Sequence, residues 1–256
     1  MDINGHIDKF MDYANARLSE AKGDDFPLRL KIEHTLNVLE YVRRIVESER
    51  PARDIGRAVL LAALYHDFGR FRQYLRYGTF QDRASCNHGF LGTRELKAEK
   101  MLDGETPEIA HLALAAVALH NRYALPKNLP DAVVFTAWAV RDADKLDILR
   151  VMDEHLGQTR PSHPTIVLSL PEDPDLHSEK VLACAMAGQP ARYTDLLSVN
   201  DFRVLLGSWF YDMHFDETRR EFTAAGHAKN LIRQLPDNEI YGPVRNKLLA
   251  SFEVGV

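Results

Sequence analysis

The sequence predicts an all-α fold, and three observations predict it. Apolar residues recur at helical spacing along most of the 256-residue chain. Capping hydroxyls and prolines fall where those stripes begin. A single stretch, Thr165-Ile166-Val167-Leu168-Ser169-Leu170, reads as well as a short strand as it does as an extended segment. No repeat, low-complexity tract or linker divides the chain. The simplest organisation is one helical domain over 1–256, with a core at about 28–153 and a C-terminal helical extension at about 175–254.

Taken in order, a first amphipathic helix runs from about Ile7 to Ala21. Pro27 opens a longer one, whose stripe is Ile32, Leu36, Leu39, Val42 and Val46, with His34 on the flank of Val38 and Tyr41. The next helix follows Pro51. Ile55, Val59, Ala62 and His66 fall at steps of four, three and four, so His66 points where the apolar stripe points. Asp67 lies about 100° further round at ~3.6 residues per turn and reaches the same centre. Gly69 is expected to stop this helix. A polar, arginine-rich loop is expected over Arg72–Arg83, and a new helix near Asn87-His88. Thr106-Pro107-Glu108 is a helix start with a capping hydroxyl, and Ile109, Leu112, Ala113, Ala116, Val117 and His120 trace its inward face. Pro130-Asp131 opens another, where Val134, Ala137, Arg141, Asp144 and Ile148 share a face. Residues 157–174 are rich in Pro, Ser and Thr, and further helices follow, among them Phe202–Met213 and Tyr241–Phe252.

Composition excludes several classes. Hydrophobic residues make up 45% and charged residues 27%, as in an ordinary globular protein. A net charge of −5 leaves no footprint for a nucleic-acid coat or an anionic membrane surface. The 2 cysteines, Cys86 and Cys184, argue against a disulfide scaffold and fit a reducing cytosol, so a cytoplasmic protein is expected. The N-terminus lacks the apolar core of a signal peptide, and no run is long enough for a transmembrane helix.

One constellation stands out. His34, His66, Asp67, His88, His120 and Asp144 sit on separate predicted helices, the adjacent pair excepted. A buried carboxylate is costly unless it is paired or bound to metal. Imidazole and carboxylate donors together suit divalent first-row ions: manganese, iron, cobalt, nickel or zinc. One ion would take His34, His66, Asp67 and Asp144. A second would take Asp67 as a bridge, with His88 and His120. Two divalent ions against two aspartates leave a positive site that attracts a phosphate dianion, and a water held by such ions becomes a nucleophile at neutral pH. Arg70, Arg72, Arg76 and Arg83 follow the His-Asp pair and are candidates for phosphate contacts. Lys145 follows Asp144 and is placed to neutralise a leaving oxygen. The blander roles are a helix cap for Arg70 and an ion pair with Asp142 or Asp147 for Lys145. Asp67, Lys145 and Arg70 are therefore the expected catalytic residues, and Arg70, Arg72 and Lys145 the expected substrate contacts. Cys86, two residues before His88, is a further ligand candidate, although a small buried cysteine is the commoner outcome. Phe71, Tyr74, Tyr77 and Phe80 would either stack on a base or pin the loop down. The other seven histidines (6, 111, 155, 163, 177, 214 and 227) show no supporting pattern.

His34, then His66-Asp67, then Asp144 within Arg141-Asp142-Ala143-Asp144-Lys145-Leu146-Asp147, resembles the signature of the HD superfamily of metal-dependent phosphohydrolases, from about Lys31 to Arg150. His88 and His120 sit where its two-metal members carry extra histidines. The resemblance implies an all-α HD-type helical bundle with two divalent transition ions. It also implies hydrolysis of a phosphate ester of a small metabolite, usually a nucleotide. Phe68-Gly69-Arg70 is followed by Phe71-Arg72-Gln73 and not by Gly-Tyr-Pro, so the chain does not look like an HD-GYP phosphodiesterase. Two alternatives stay open: a di-iron oxygenase on the same fold, as in the myo-inositol oxygenase type, and a non-catalytic binding module. The expected partner is a small phosphorylated substrate. The oligomeric state is open, with a homodimer among the options.

Overall fold

The computed structural model of the chain describes residues 2–156, 165 and 168–254. They contain twelve α-helices and three short 3-10 turns, and no strand among the described residues. Ile166 and Val167 of the strand candidate lie outside them, as do all of 157–164 with His163. Leu168 and Ser169 form a turn with φ of 56° and 55°, which no strand contains. No helix among the described residues is long and apolar enough to cross a membrane. The chain divides into two compact units, Met1–Asp144 and Lys145–Val256.

The first unit holds α1 (Asn4–Glu20), α2 (Phe26–Glu49), α3 (Arg53–Tyr65), α4 (Phe68–Tyr77), α5 (His88–Ala98), α6 (Pro107–Leu119) and the start of α7 (Asp131–Leu156). Its centre is α3. From Ala58 to Tyr65 every residue is at most 4% exposed. A helix apolar on all sides must be surrounded, and α2 and α6 pack along it. Phe10 and Tyr13 of α1 close the cluster by meeting Phe68 and Phe71; Tyr13 stacks on Phe68 with ring centres 3.9 Å apart. Under this cluster His6 bridges the Tyr65 hydroxyl (3.0 Å) and Glu105 (2.9 Å), and Arg57 holds the other side of Glu105 (2.6 Å).

Two expectations are corrected here. Much of the loop expected from Arg72 onward is helical, as the latter half of α4. Its arginines and glutamine disguise an amphipathic helix whose buried side is Phe68, Gly69, Phe71 and Gln73. Gly69 does not stop α3. The helix ends at Tyr65, and Gly69 lies in the first turn of α4. It faces the backbone of α5: a Cβ there would press into the His88 carbonyl and come within 2.6 Å of Gly92 N. Only a residue without a Cβ permits that approach.

The second unit holds the rest of α7, α8 (Glu179–Met186), α9 (Val199–Ser208), α10 (Asp216–Ala224), α11 (His227–Arg233) and α12 (Gly242–Val254). Fully buried Asp201 accepts the Ser178 and Leu197 backbone N–H groups, each at 3.0 Å, fixing the approach to α8 and α9. Phe210, Phe222 and Phe252 form its aromatic core.

Candidate metal centre

Helix ends deliver most of the site. His66 follows the last residue of α3, and Asp67 precedes the first of α4, so this pair is the whole connection between two helices. His88 is the first residue of α5, with Asn87 capping the helix by accepting Phe90 N–H at 2.9 Å. His120 follows α6. His34 and Asp144 stand within α2 and α7. At a helix end a side chain reaches past its own barrel, which is why residues from six helices converge.

They converge as two groups. His34, His66 and Asp144 place their ligand atoms within 4.8 Å of one another, and so do Asp67, His88 and His120. Asp67 lies between the groups. Its Oδ2 is 3.5 Å from His66 Nε2 and 3.7 Å from His34 Nε2, while its Oδ1 is 3.4 Å from His88 Nε2 and 3.7 Å from His120 Nε2. Asp144 Oδ1 stands 3.0 Å from His34 Nε2. The four imidazoles and Asp67 are at most 5% exposed.

The donor set suits a cation. His66 Nδ1 donates to the Ala63 carbonyl (2.8 Å) and His120 Nδ1 to the Val117 carbonyl (2.7 Å), each three residues back in its helix. His88 opens its helix and has no helical carbonyl behind it. Its Nδ1 lies 2.8 Å from both oxygens of Asp82 instead. In each neutral ring the Nε2 that remains is a lone pair. Yet His88 and His120 face each other Nε2 to Nε2 at 2.9 Å, and His34 and His66 at 3.3 Å. Facing lone pairs repel at such distances unless a proton or a metal ion lies between them. Carboxylate–histidine pairs of the Asp82–His88 kind fix the tautomer of metal-ligating histidines.

Proton affinities in the metal-free protein follow the same charges. Burial pulls the His66 imidazole down, but Asp67 and Asp144 outweigh it and hold it up at about 10. Burial and the Arg70 guanidinium push His88 down to about 3, so it donates to Asp82 as a neutral ring. Burial opposes the charge on Asp67, and Lys31 and His66 more than offset it; Asp67 and Asp144 both sit well below the usual carboxylate range.

The structure also places the remaining sequence candidates. Arg70 reaches the site, with Nε 3.3 Å from Asp67 Oδ1, and its Nη1 binds Gln73 Oε1 (2.9 Å), the Phe80 carbonyl and Asp82 (3.3 Å). Arg72 turns to Glu95 (3.3 Å) and Glu20 (3.8 Å) and touches none of the six. Lys145, in the second unit, pairs with Asp212 at 2.6 Å, and Asp147 is held by Arg150 at 2.7 Å. Cys86 belongs to neither group, and burial raises its thiol pKa. Phe71 is fully buried and pins α4, so it cannot stack on a ligand. Lys31, Asp82 and Asn121 escaped the sequence reading. Lys31 is one turn before His34 on α2, a face relation visible in the sequence; Asp82 and Asn121 carry no such signal. Lys31 Nζ donates to Asp67 Oδ2 at 2.5 Å, and Asn121 Nδ2 donates to Asp82 at 3.0 Å.

A family model described as HD domain matches residues 32–161, half of the chain, and spans all six residues of the two groups. No curated protein and no solved structure matches the chain.

Proposed function

The chain belongs to the HD-domain family, and on that footing we propose that it hydrolyses a phosphate ester of a small metabolite, a nucleotide foremost, with two divalent transition ions. The family is mostly one of metal-dependent phosphohydrolases, so metal-dependent hydrolysis is the activity that membership suggests. The observation that carries the two-ion reading is the position of Asp67, one oxygen toward each histidine pair. His34, His66, Asp144 and Asp67 Oδ2 would hold one ion; Asp67 Oδ1, His88 and His120 the other. Such ions supply Lewis acidity and acidify a water.

The protein's own residues do the rest. Asp82 holds the His88 ring with its lone pair inward, and Asn121 holds Asp82. Asp82, Asp67 and Asp144 bring three negative charges and Lys31 and Arg70 two positive ones. With His66 neutral as a ligand, two divalent ions would turn that deficit of one into an excess of three, which favours a phosphate dianion over a neutral substrate. In the reaction the water oxygen bonds to phosphorus, the ester P–O bond breaks, and the water's proton ends on the leaving oxygen. Preorganised cations beside the phosphoryl oxygens stabilise the charge that develops there.

The test is metal analysis of protein purified without chelators, followed by a screen of phosphate esters with manganese, iron, cobalt, nickel and zinc. Two ions per chain and metal-dependent phosphate release are expected. Dioxygen consumption by an air-sensitive iron form, without phosphate release, would replace this reading with the oxygenase. Failure to retain any ion would leave a binding module.

A further inference from the structure

We propose that Lys31 is the cation that receives the phosphoryl group of the substrate and so sets the site's preference for phosphate; this rests on the hydrolase reading above. Lys31 lies on α2 three residues before His34, so the two side chains share a face. Its ammonium has three N–H donors. One goes to Asp67 Oδ2, and its other neighbour is the Phe80 ring, centred 5.7 Å away. The side chain keeps 16% of its surface open, against 3% for the Asp67 it covers. Lys31 therefore stands between the buried carboxylate and solvent.

The neighbouring arginines carry more ties than Lys31 does. Arg70 has Nε on Asp67 and Nη1 shared among Gln73, the Phe80 carbonyl and Asp82, ties that fix the turn after α4. Arg72 serves Glu95 and Glu20. Phe80 carries Lys31 and Arg70 against its ring, with the guanidinium 5.5 Å from the ring centre, so the aromatic surface restrains both cations and keeps water from one side of them.

The carboxylate oxygen that Lys31 covers is the one turned toward His34 and His66. Any cation held by those histidines draws on the same oxygen. Lys31 then loses part of its claim on Asp67, and its ammonium becomes available to an anion arriving from solvent. A lysine acts as a point charge with rotatable donors, which suits a tetrahedral group that changes shape during hydrolysis. One side chain thus neutralises Asp67 in the empty site and binds phosphate in the filled one.

The two roles make opposite demands on a variant. Lys31→Met keeps the apolar stem over Phe80 and removes the charge. Calorimetric titration of manganese into metal-free protein, then of inorganic phosphate into the manganese-loaded form, reads both. Lys31→Met should bind manganese as well as the wild type or more tightly, because a competing cation is gone, and should bind phosphate at least tenfold more weakly. Lys31→Arg should recover most of the phosphate binding. Weaker manganese binding in Lys31→Met would overturn the proposal and make Lys31 a support for Asp67. Phosphate binding equal to the wild type would overturn it as well. A wild type that binds manganese but neither binds phosphate nor releases it from any ester would bring down the hydrolase reading, and this proposal with it.

Discussion

Replacing Gly69 by alanine tests how the second group is built. In a helix, alanine is better than glycine by about 0.5–1 kcal/mol, so propensity alone predicts a more stable protein. The neighbours decide otherwise. The new Cβ would press into the His88 carbonyl oxygen and lie 2.6 Å from Gly92 N and 3.0 Å from Gly92 Cα. All three are backbone atoms, so no rotamer relieves the contact. Ordinary separations are about 3.5–4 Å, so α4 and α5 must part by roughly 1 Å. Overpacking of that kind costs about 1–3 kcal/mol, more than the propensity gain. At about 2–4 °C per kcal/mol for a chain of this size, Tm of the metal-free protein should fall by several degrees. The shift displaces His88 itself, whereas metal distances tolerate only about ±0.2 Å. The His88–His120–Asp67 group should lose its ion while His34, His66 and Asp144 keep theirs. Gly5→Ala is the control: it lies on α1 with nothing within 4 Å of its Cβ, and should be neutral or slightly stabilising. Thermal melts in chelator and metal counting on reloaded protein give the answer. Two ions and an unchanged or raised Tm in Gly69→Ala would refute the reasoning.

Other outcomes follow from the same contacts. Asp67→Ala should abolish binding of both ions, whereas His120→Ala should empty mainly the second group; equal metal content in the two variants would contradict the bridging position of Asp67. Asp82→Ala should weaken metal binding at the His88 group by about 10- to 100-fold, with Asp82→Asn, which keeps an acceptor for His88 Nδ1, in between; identical titrations of wild type and both variants would remove Asp82 from the site. Glu105 is held below its ordinary 4.5 by Arg57 and then, against burial, by His6, so its contribution to stability is complete above that value and is lost as pH falls through the lower folded-state value. Burial holds His6 below 6.5 against the pull of Glu105, and this works in the same direction, its contribution fading as the unfolded chain takes up its proton. Glu105→Gln should therefore lower Tm at neutral pH and flatten the acid limb of the Tm–pH curve; parallel curves would count against the pairing.

Much of this was readable in the residues. The run from Val59 to His66 announces a buried helix with an imidazole at its end, and Thr106-Pro107 announces α6 because a capping hydroxyl and a proline leave little else to do. The six candidate ligands meet because each ends, begins or faces inward on an apolar stripe. What stayed hidden depends on partners remote in sequence. Gly69 looks like a helix stop until the backbone of α5 is beside it. Gln73 looks like a surface residue until Asp82, Ser85 and the Cys86 carbonyl take its amide in the interior. Lys145 pairs with Asp212, a carboxylate 67 positions on that no local spacing announces. Period and propensity describe one helix at a time, and these contacts belong to pairs of helices.

The ion pair between Lys31 and Asp67 also bears on the order in which the protein is made. The candidate ligands are scattered over more than 100 positions of the chain, so no local fragment can gather an ion before the helices have packed. A carboxylate buried during that packing needs a counter-charge at once. Lys31, only 36 positions from Asp67, brings one from within the chain. Zinc fingers stay unfolded until the metal arrives; here the empty site carries its own placeholder. Assembly of the helices then does not wait on an ion, because the counter-charge that the buried carboxylate needs is already in the chain.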